Sequence, residues 1–151
     1  MNAFAANRAY QAMSLEGNVN SASPHKLISM LYEGALVSIA SSRADMKAGN
    51  IPTRGKMISR AISIINDGLK AGVNMEAGGE IAQNLNALYD YMIYRLAQAN
   101  ANSDVYALDE VEGLLKDLKG AWDSIGTLSV VKSEVVEPST ILRPSVSYGS
   151  A

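Results

Sequence analysis

The sequence contains no cysteine among its 151 residues, and only four prolines, one histidine, one tryptophan and one phenylalanine. Without cysteine the chain forms no disulfide and offers no thiol nucleophile, and nothing in it requires an oxidising compartment. So little proline leaves long stretches that can be helical, because proline is the strongest breaker of helices. These absences exclude a disulfide-stapled domain and favour a helical one.

The single histidine limits the chemistry that the chain can perform. His25 stands beside Lys26 on the polar side of a predicted helix, a position typical of a surface residue rather than a general base. A di-iron bundle needs two Glu-x-x-His motifs, and Ala22 stands where the glutamate of His25 would be. The glycines also lack the spacing of a phosphate loop. We therefore expect no catalytic residues, no metal site and no cofactor.

Charge and hydropathy exclude two further classes of partner. The formal net charge is −2, from 13 basic and 15 acidic residues, and no basic stripe is present, so we expect no nucleic-acid partner. The strongest apolar run, residues 27–40, is broken by Glu33 and is too short to span a bilayer. Residues 1–13 lack the apolar region of a secretory signal. These features predict a cytoplasmic protein that does not insert into membranes.

Helical periodicity is present in four long segments. The clearest is residues 78–100, whose apolar side chains fall within an arc of about 140°. The other three run from about residue 24 to 48, from 51 to 73 and from 104 to 125. Ser23 and Pro24 are typical of a helix start, and Gly49 follows the same helix as a typical stop.

The order of these segments predicts the architecture. Short connectors between long helices make them antiparallel neighbours, so we expect an all-α, antiparallel, up-and-down four-helix bundle. Residues 3–15 add a short N-terminal helix. From Thr127 the chain has two prolines and no helical period, which predicts a disordered C-terminal tail. The predicted domains are a helical bundle over residues 1–126 and a flexible tail over residues 127–151.

Two predicted helices have apolar faces wider than the arc of a little over about 100° that is typical of a core-facing helix. Packing of these helices on two sides would explain the surplus. A groove that receives a partner segment would explain it equally well. If a groove is the explanation, the candidate partner-binding residues are Ile28, Tyr32 and Ile39 on the helix predicted over residues 24–48. On the helix predicted over residues 51–73 they are Ile58, Ile62 and Leu69.

Other features leave alternatives open. Tyr91 and Tyr94 lie off the apolar stripe of their helix, either as ordinary half-exposed aromatic residues or as the rim of an interface. A self-associating structural or regulatory helical bundle would carry the same spare apolar surface, buried in a homodimer. Periodicity alone does not separate it from a bundle that binds another protein.

Five segments carry a resemblance to a known family: Tyr10 within NRAYQA, ASPHKLISMLYEGAL at residues 22–36, GGEIAQNLNALYDYM at 78–92, LAQAN at 96–100 and EVEGLLKDLKGAW at 110–122. Together they resemble the flagellar secretion chaperone family FliS over residues 8–125. Glu33 stands where the family pattern has an aspartate. The segment from Thr127 extends beyond the shared region.

The resemblance implies a cytoplasmic chaperone without enzymatic activity, folded as a four-helix bundle with a short N-terminal helix. It implies that the chain binds the C-terminal region of flagellin in apolar grooves, prevents premature polymerisation and helps deliver flagellin to the flagellar type III export apparatus. Tyr10 matches a tyrosine whose segment can cover the hydrophobic site when flagellin is absent, and so joins the candidate partner-binding residues. An anti-sigma factor or a co-chaperone is a further candidate partner.

Overall fold

The computed structural model describes the backbone of residues 22–139 and the side chains of residues 22–126. Within that part of the chain the structure has helices and no strand, which confirms the predicted all-α class. The helices are α1 (Pro24–Ala48), α2 (Ile51–Ser63, continued by a π-helical segment, Ile64–Lys70), α3 (Met75–Asn102) and α4 (Val105–Ser139). The predicted short N-terminal helix and Tyr10 lie outside the described residues.

Short connections and cross-helix contacts make these helices a bundle. Gly49 and Asn50 join α1 to α2, and Ser103 and Asp104 join α3 to α4, so consecutive helices run antiparallel. Both α1 and α3 pack on α2 and on its π-helical segment. Side-chain hydrogen bonds connect α4 to α1 and to α3. The described helices thus agree with the predicted architecture.

The ends of α1 follow from local chemistry, as the sequence predicts. The hydroxyl of Ser23 accepts a hydrogen bond from the N–H of Lys26 at 3.1 Å, and Pro24 occupies the first helical turn. At the other end Gly49 adopts the left-handed conformation with φ 75°, and its N–H bonds to the carbonyl of Met46. The bounds of α1 are therefore set by its own capping residues.

The helix predicted over residues 51–73 takes two forms in the structure. It is α-helical to Ser63 and then π-helical over Ile64–Lys70, where it ends. Because a π turn joins residues five apart, Ile64 and Leu69 come to lie on the same, buried side. The prediction of a helix is confirmed, whereas the regular α-helical form to residue 73 is not observed.

A glycine pair divides the first turn of α3 from the rest of the helix. The side chain of Asn74 accepts a hydrogen bond from the N–H of Ala77 at 3.0 Å and so begins α3 about one turn before the predicted start. At Gly79 the backbone has φ 56° and ψ −135°, a conformation that glycine tolerates and other residues do not. A Cβ atom on Gly78 would collide with that of Ala82. Both glycines are therefore required by the backbone path.

The last helix is longer than the sequence predicts. It continues to Ser139, which corrects the predicted helix end just before Thr127. No glycine or proline stands between Gly126 and Pro138, so nothing in the backbone chemistry ends a helix there. The valines of this stretch lower helix propensity only slightly. Residues 140–151 of the predicted tail lie outside the described residues.

The chain divides into two compact units, Met1–Lys119 and Gly120–Ala151. In the described part, every buried apolar side chain belongs to the first unit, and Leu115 is the last of them. The described backbone of the second unit is the continuation of α4. The predicted domain boundary between residues 126 and 127 stays a prediction.

Candidate interaction surfaces

The candidate partner-binding residues lie mostly inside the bundle. Five of them are 3% exposed or less, and Ile62 is half-buried; the five are Ile28, Tyr32, Ile39, Ile58 and Leu69. Such burial is what two-sided packing of α1 and α2 predicts. Contact between these residues and a partner stays a prediction, and Tyr10 lies outside the described residues.

The structure brings the start of α1 against the end of the π-helical segment. A Cβ atom at Gly72 would lie 3.6 Å from Cδ1 of Ile28 and 3.2 Å from the carbonyl oxygen of Gly68. The distance to Ile28 is an ordinary van der Waals contact, so only the carbonyl of Gly68 would crowd a side chain at this position. The side chain of Ile28 is held in the core at that point, with 1% of its surface exposed.

A buried polar contact joins α1 to α3. The hydroxyls of Tyr32 and Tyr89 lie 2.6 Å apart and share a hydrogen bond. Burial raises the pKa of both phenols, and for Tyr89 the neighbouring Tyr32 raises it further. Both hydroxyls are therefore neutral near pH 7 and satisfy each other within an apolar core.

One apolar row on α3 is covered at one end and open at the other. We call Ile81, Leu85, Leu88 and Met92 the α3 stripe, because their spacing places them on one side of the helix. Met92 is fully buried, Leu88 and Leu85 are half-buried, and Ile81 is 79% exposed. The stripe therefore leaves the core toward the N-terminal end of α3 and presents apolar surface to solvent.

Half-buried leucines of α4 continue this apolar surface. Glu110 on α4 bonds to both Tyr91 and Arg95 on α3, so these residues show how the two antiparallel helices are aligned. By that alignment Leu114 and Leu118 lie opposite Leu88 and Leu85, and all four are half-buried. The half-buried leucines of α4 therefore border the open end of the stripe.

A second exposed surface has a different composition. We call Tyr91, Tyr94 and Tyr106, together with Arg95 and Glu110, the tyrosine face. The Tyr91 hydroxyl donates to Glu110 at 2.7 Å, and Nε of Arg95 donates to the same carboxylate at 2.6 Å. Tyr91, Tyr94 and Tyr106 are 41%, 59% and 78% exposed.

The hydrogen bonds of the tyrosine face form one continuous chain. Nη1 of Arg95 donates to Gln98 at 2.8 Å, and the amide of Gln98 donates to the Tyr94 hydroxyl at 3.0 Å. The hydroxyl of Tyr91 and the guanidinium of Arg95 hold the pKa of the Glu110 carboxyl below its usual range. Glu110 is therefore charged at neutral pH, and it orients the Tyr91 ring directly and the Tyr94 ring through Arg95 and Gln98.

A third polar cluster ties α1 to α4 and is structural. Nη2 of Arg43 lies 2.9 Å from both Asp109 and Glu112, and Lys116 lies 3.9 Å from Glu112. The two carboxylates raise the pKa of Arg43 against the opposing effect of its partial burial. These ion pairs hold α1 beside α4. Tyr106 takes no part in them and is exposed.

Sequence reasoning identified some of these surface residues and missed others. Tyr91 and Tyr94 were candidates for an interface rim, and they do lie on an exposed surface. Tyr106 was missed, although its position off the apolar arc of α4 would have indicated exposure. Ile81 belongs to the apolar arc predicted over residues 78–100, but periodicity shows only which side of a helix is apolar and not whether a neighbour covers it.

The described residues hold no candidate metal site and no candidate membrane span. Over residues 22–126 no three His, Cys, Asp or Glu side chains come together as metal ligands. None of the helices described between residues 22 and 139 is long and apolar enough to cross a membrane.

The fold and surfaces place the chain in the class of small helical bundles, and comparison with known proteins specifies the family. The family described as flagellar protein FliS matches residues 5–129. The flagellar secretion chaperone FliS of Salmonella typhimurium is 50% identical over 118 residues, or 78% of this chain and 87% of that protein. FliSB of Pseudomonas aeruginosa, with the same description, is 45% identical over 125 residues, or 83% and 98% of the two chains. FliS of Bacillus subtilis is 32% identical over 107 residues, or 71% and 78%.

The chain therefore belongs to the FliS family, and the resemblance seen in its sequence is confirmed. The relatives are named as chaperones, so the family is one of chaperones and not of enzymes. The comparisons support a flagellar chaperone role for this chain.

Proposed function

We propose that the chain is a cytoplasmic flagellar secretion chaperone that binds the C-terminal region of flagellin, prevents its premature polymerisation and helps deliver it to the flagellar type III export apparatus. Membership of the FliS family supports the chaperone role. The names of the relatives, flagellar secretion chaperones, support the link to export. The alternative is a helical bundle that acts by self-association.

The open end of the α3 stripe carries the proposal. Ile81 is 79% exposed, and the half-buried Leu85 and Leu88 extend the apolar surface toward the core. Apolar surface of this kind is where an amphipathic client segment lays its own apolar side. Covering one such side chain completely would contribute about 1.5–3 kcal/mol to binding.

The buried residues have a different part in the proposal. Ile28, Tyr32, Ile39, Ile58 and Leu69 are covered in this structure. A client would contact them only after a local opening between helices, with the partly exposed Ile62 beside them. The α3 stripe, which needs no opening, is therefore the surface of first contact, and the covered residues extend the site.

Binding and release of the client need no nucleotide in this proposal. A disordered flagellin segment would lose conformational entropy as it orders on the bundle, and burial of apolar area at about 25 cal/mol per Å² would offset that cost. Because the two terms oppose each other, the net affinity stays moderate and the client can be released at the export apparatus.

Isothermal titration with a C-terminal flagellin fragment from the same organism tests the proposal. We expect saturable binding near one to one with a negative heat-capacity change, and loss of binding when the last helical region of the fragment is deleted. Ile81→Ser should weaken binding by on the order of tenfold, because it removes exposed apolar area from the stripe. Val37→Ser is the matched control, since Val37 is also exposed but lies on α1.

The outcomes distinguish an error about the α3 stripe from an error about flagellin as the client. If the wild-type chain binds the fragment and both variants bind it as tightly as the wild type, flagellin is the client and the α3 stripe is not its site. If the wild-type chain gives no heat and the fragment does not co-elute, the flagellin proposal fails. A stable homodimer under those conditions would favour the self-associating bundle.

A further inference from the structure

The tyrosine face is ordered beyond what folding of the bundle requires. Its hydrogen bonds run from Tyr91 through Glu110, Arg95 and Gln98 to Tyr94, all at the exposed surface. Exposed polar contacts of this kind contribute little to stability. They do, however, hold bulky side chains in place, so that little side-chain entropy remains to be lost when a partner binds.

The residue types of this surface are those that dominate protein interfaces. Tyrosine and arginine are enriched at the centres of interfaces, because each offers a large contact area together with a polar group. Tyr106, which is 78% exposed, stands one helical turn before Glu110 on the same side of α4. The face therefore combines rings on both helices across the α3–α4 seam.

Charge identifies the chemistry of the partner. The carboxylates at and beside the face belong to Glu110, to Asp104, whose Oδ1 accepts hydrogen bonds from the N–H groups of Tyr106 and Ala107 at the start of α4, and to the exposed Asp117. Asp117 stands seven residues after Glu110 and on the same side of α4. Arg95 supplies the one cation inside the face, and Glu110 already binds it. The ring faces of tyrosine attract guanidinium and ammonium groups, so the rings and the carboxylates favour the same kind of ligand.

We propose that the tyrosine face is a docking surface for a basic protein segment, whose arginine or lysine side chains stack on Tyr94 and Tyr106 and pair with the carboxylates of α4. The surface differs in residues and in chemistry from the apolar α3 stripe. The proposal therefore stands whether or not flagellin is the client.

Nuclear magnetic resonance of the full ¹⁵N-labelled chain tests this inference with two synthetic probes. The first is an alanine- and glutamine-based helical peptide with arginines along one side, and the second has glutamates in place of the arginines. We expect the arginine peptide alone to bind, and to shift backbone amides of residues 91–98 and 104–110. Tyr106→Ala should weaken that binding at least about fivefold, because a central interface tyrosine typically contributes more than about 1 kcal/mol.

Two further variants separate docking from general attraction between opposite charges. Glu110→Gln should also weaken binding, since it removes a carboxylate and loosens both Tyr91 and Arg95. Glu33→Gln, at an exposed carboxylate on α1, removes the same charge elsewhere and should leave binding unchanged. Circular dichroism checks that each variant retains its helicity.

Several results would overturn the proposal. Equal binding of both peptides, no binding of the arginine peptide, or shifts outside the tyrosine face would show that this surface does not select a basic segment. If Glu110→Gln and Glu33→Gln weaken binding of the arginine peptide equally and Tyr106→Ala does not weaken it, the peptide responds only to the net charge of the chain.

Discussion

The hydroxyl oxygens of Tyr32 on α1 and Tyr89 on α3 lie 2.6 Å apart in the core of the bundle. Both side chains are buried, at 3% and 1% exposed, so neither hydroxyl can replace its partner with bulk water. The pair therefore ties two helices together through a contact that is satisfied only when both tyrosines are present. This dependence makes the pair sensitive to substitution and to pH.

Replacement of both Tyr32 and Tyr89 by phenylalanine should destabilise the chain by less than the sum of the two single replacements. Tyr32→Phe or Tyr89→Phe leaves a buried hydroxyl without a partner, at a cost of about 1–3 kcal/mol. The double variant removes both polar groups and should cost less than the sum of the single changes. Urea unfolding of the four proteins measures the coupling. Strictly additive effects would mean that the two hydroxyls do not depend on each other.

The stability of the chain should fall at alkaline pH, partly because of this pair. Burial raises the pKa of Tyr32 and Tyr89 above the ordinary value of 10.0, so the folded chain holds these protons more tightly than the unfolded chain. This contribution is complete below about pH 10 and is lost as the pH rises from there toward the folded-state pKa. The free energy of unfolding, measured from pH 8 to 11, should decline less steeply in the Tyr32→Phe, Tyr89→Phe double variant. An identical decline in both proteins would assign the pH dependence to other groups.

Local chemistry was sufficient to predict some of these features and not others. The start of α1 at Ser23 and its end at Gly49 follow from the preferences of single residues, so they were predictable. The Tyr32–Tyr89 contact joins residues far apart in sequence, and its existence depends on how α1 and α3 pack. The exposure of Ile81 has the same origin, because it depends on whether another helix covers that end of α3. The sequence was thus sufficient to predict the helices. It predicted the exposure of a side chain only where the residue lay clearly off an apolar arc.

Two glycines of the bundle should respond to alanine in opposite directions. Gly79 has φ 56° inside α3, where a side chain is strained, so Gly79→Ala should cost about 1–3 kcal/mol. Gly113 lies within α4, and a Cβ atom added there meets nothing within 4 Å. Gly113→Ala should therefore stabilise the chain by up to about 1 kcal/mol through helix propensity. Thermal unfolding of both variants beside the wild type measures the difference, and a loss of stability in Gly113→Ala would show that this position has a packing role.

Tyr10 allows a test of whether the N-terminal segment covers the proposed flagellin site. The residue lies outside the described part of the chain, and the family resemblance implies that its segment can cover the hydrophobic site. If so, Tyr10→Ala should change the affinity for a C-terminal flagellin fragment while the helicity stays nearly constant. Isothermal titration and circular dichroism of the same samples measure the two properties, with Val37→Ser as the control, because Val37 is exposed on α1 and lies outside both proposed surfaces. Unchanged affinity would remove the gating role of Tyr10.

Truncation after Gly126 tests the predicted domain boundary. Every buried apolar side chain of the described residues lies at or before Leu115, so the shortened chain keeps that core. We expect its melting temperature and its flagellin affinity to match those of the full chain, although α4 loses the turns that extend to Ser139. Far-ultraviolet circular dichroism should then show a loss of helical signal without a loss of cooperativity in unfolding. A marked fall in melting temperature would mean instead that the segment from Thr127 contributes to the folded domain, and a fall in affinity alone would place part of the flagellin site on it.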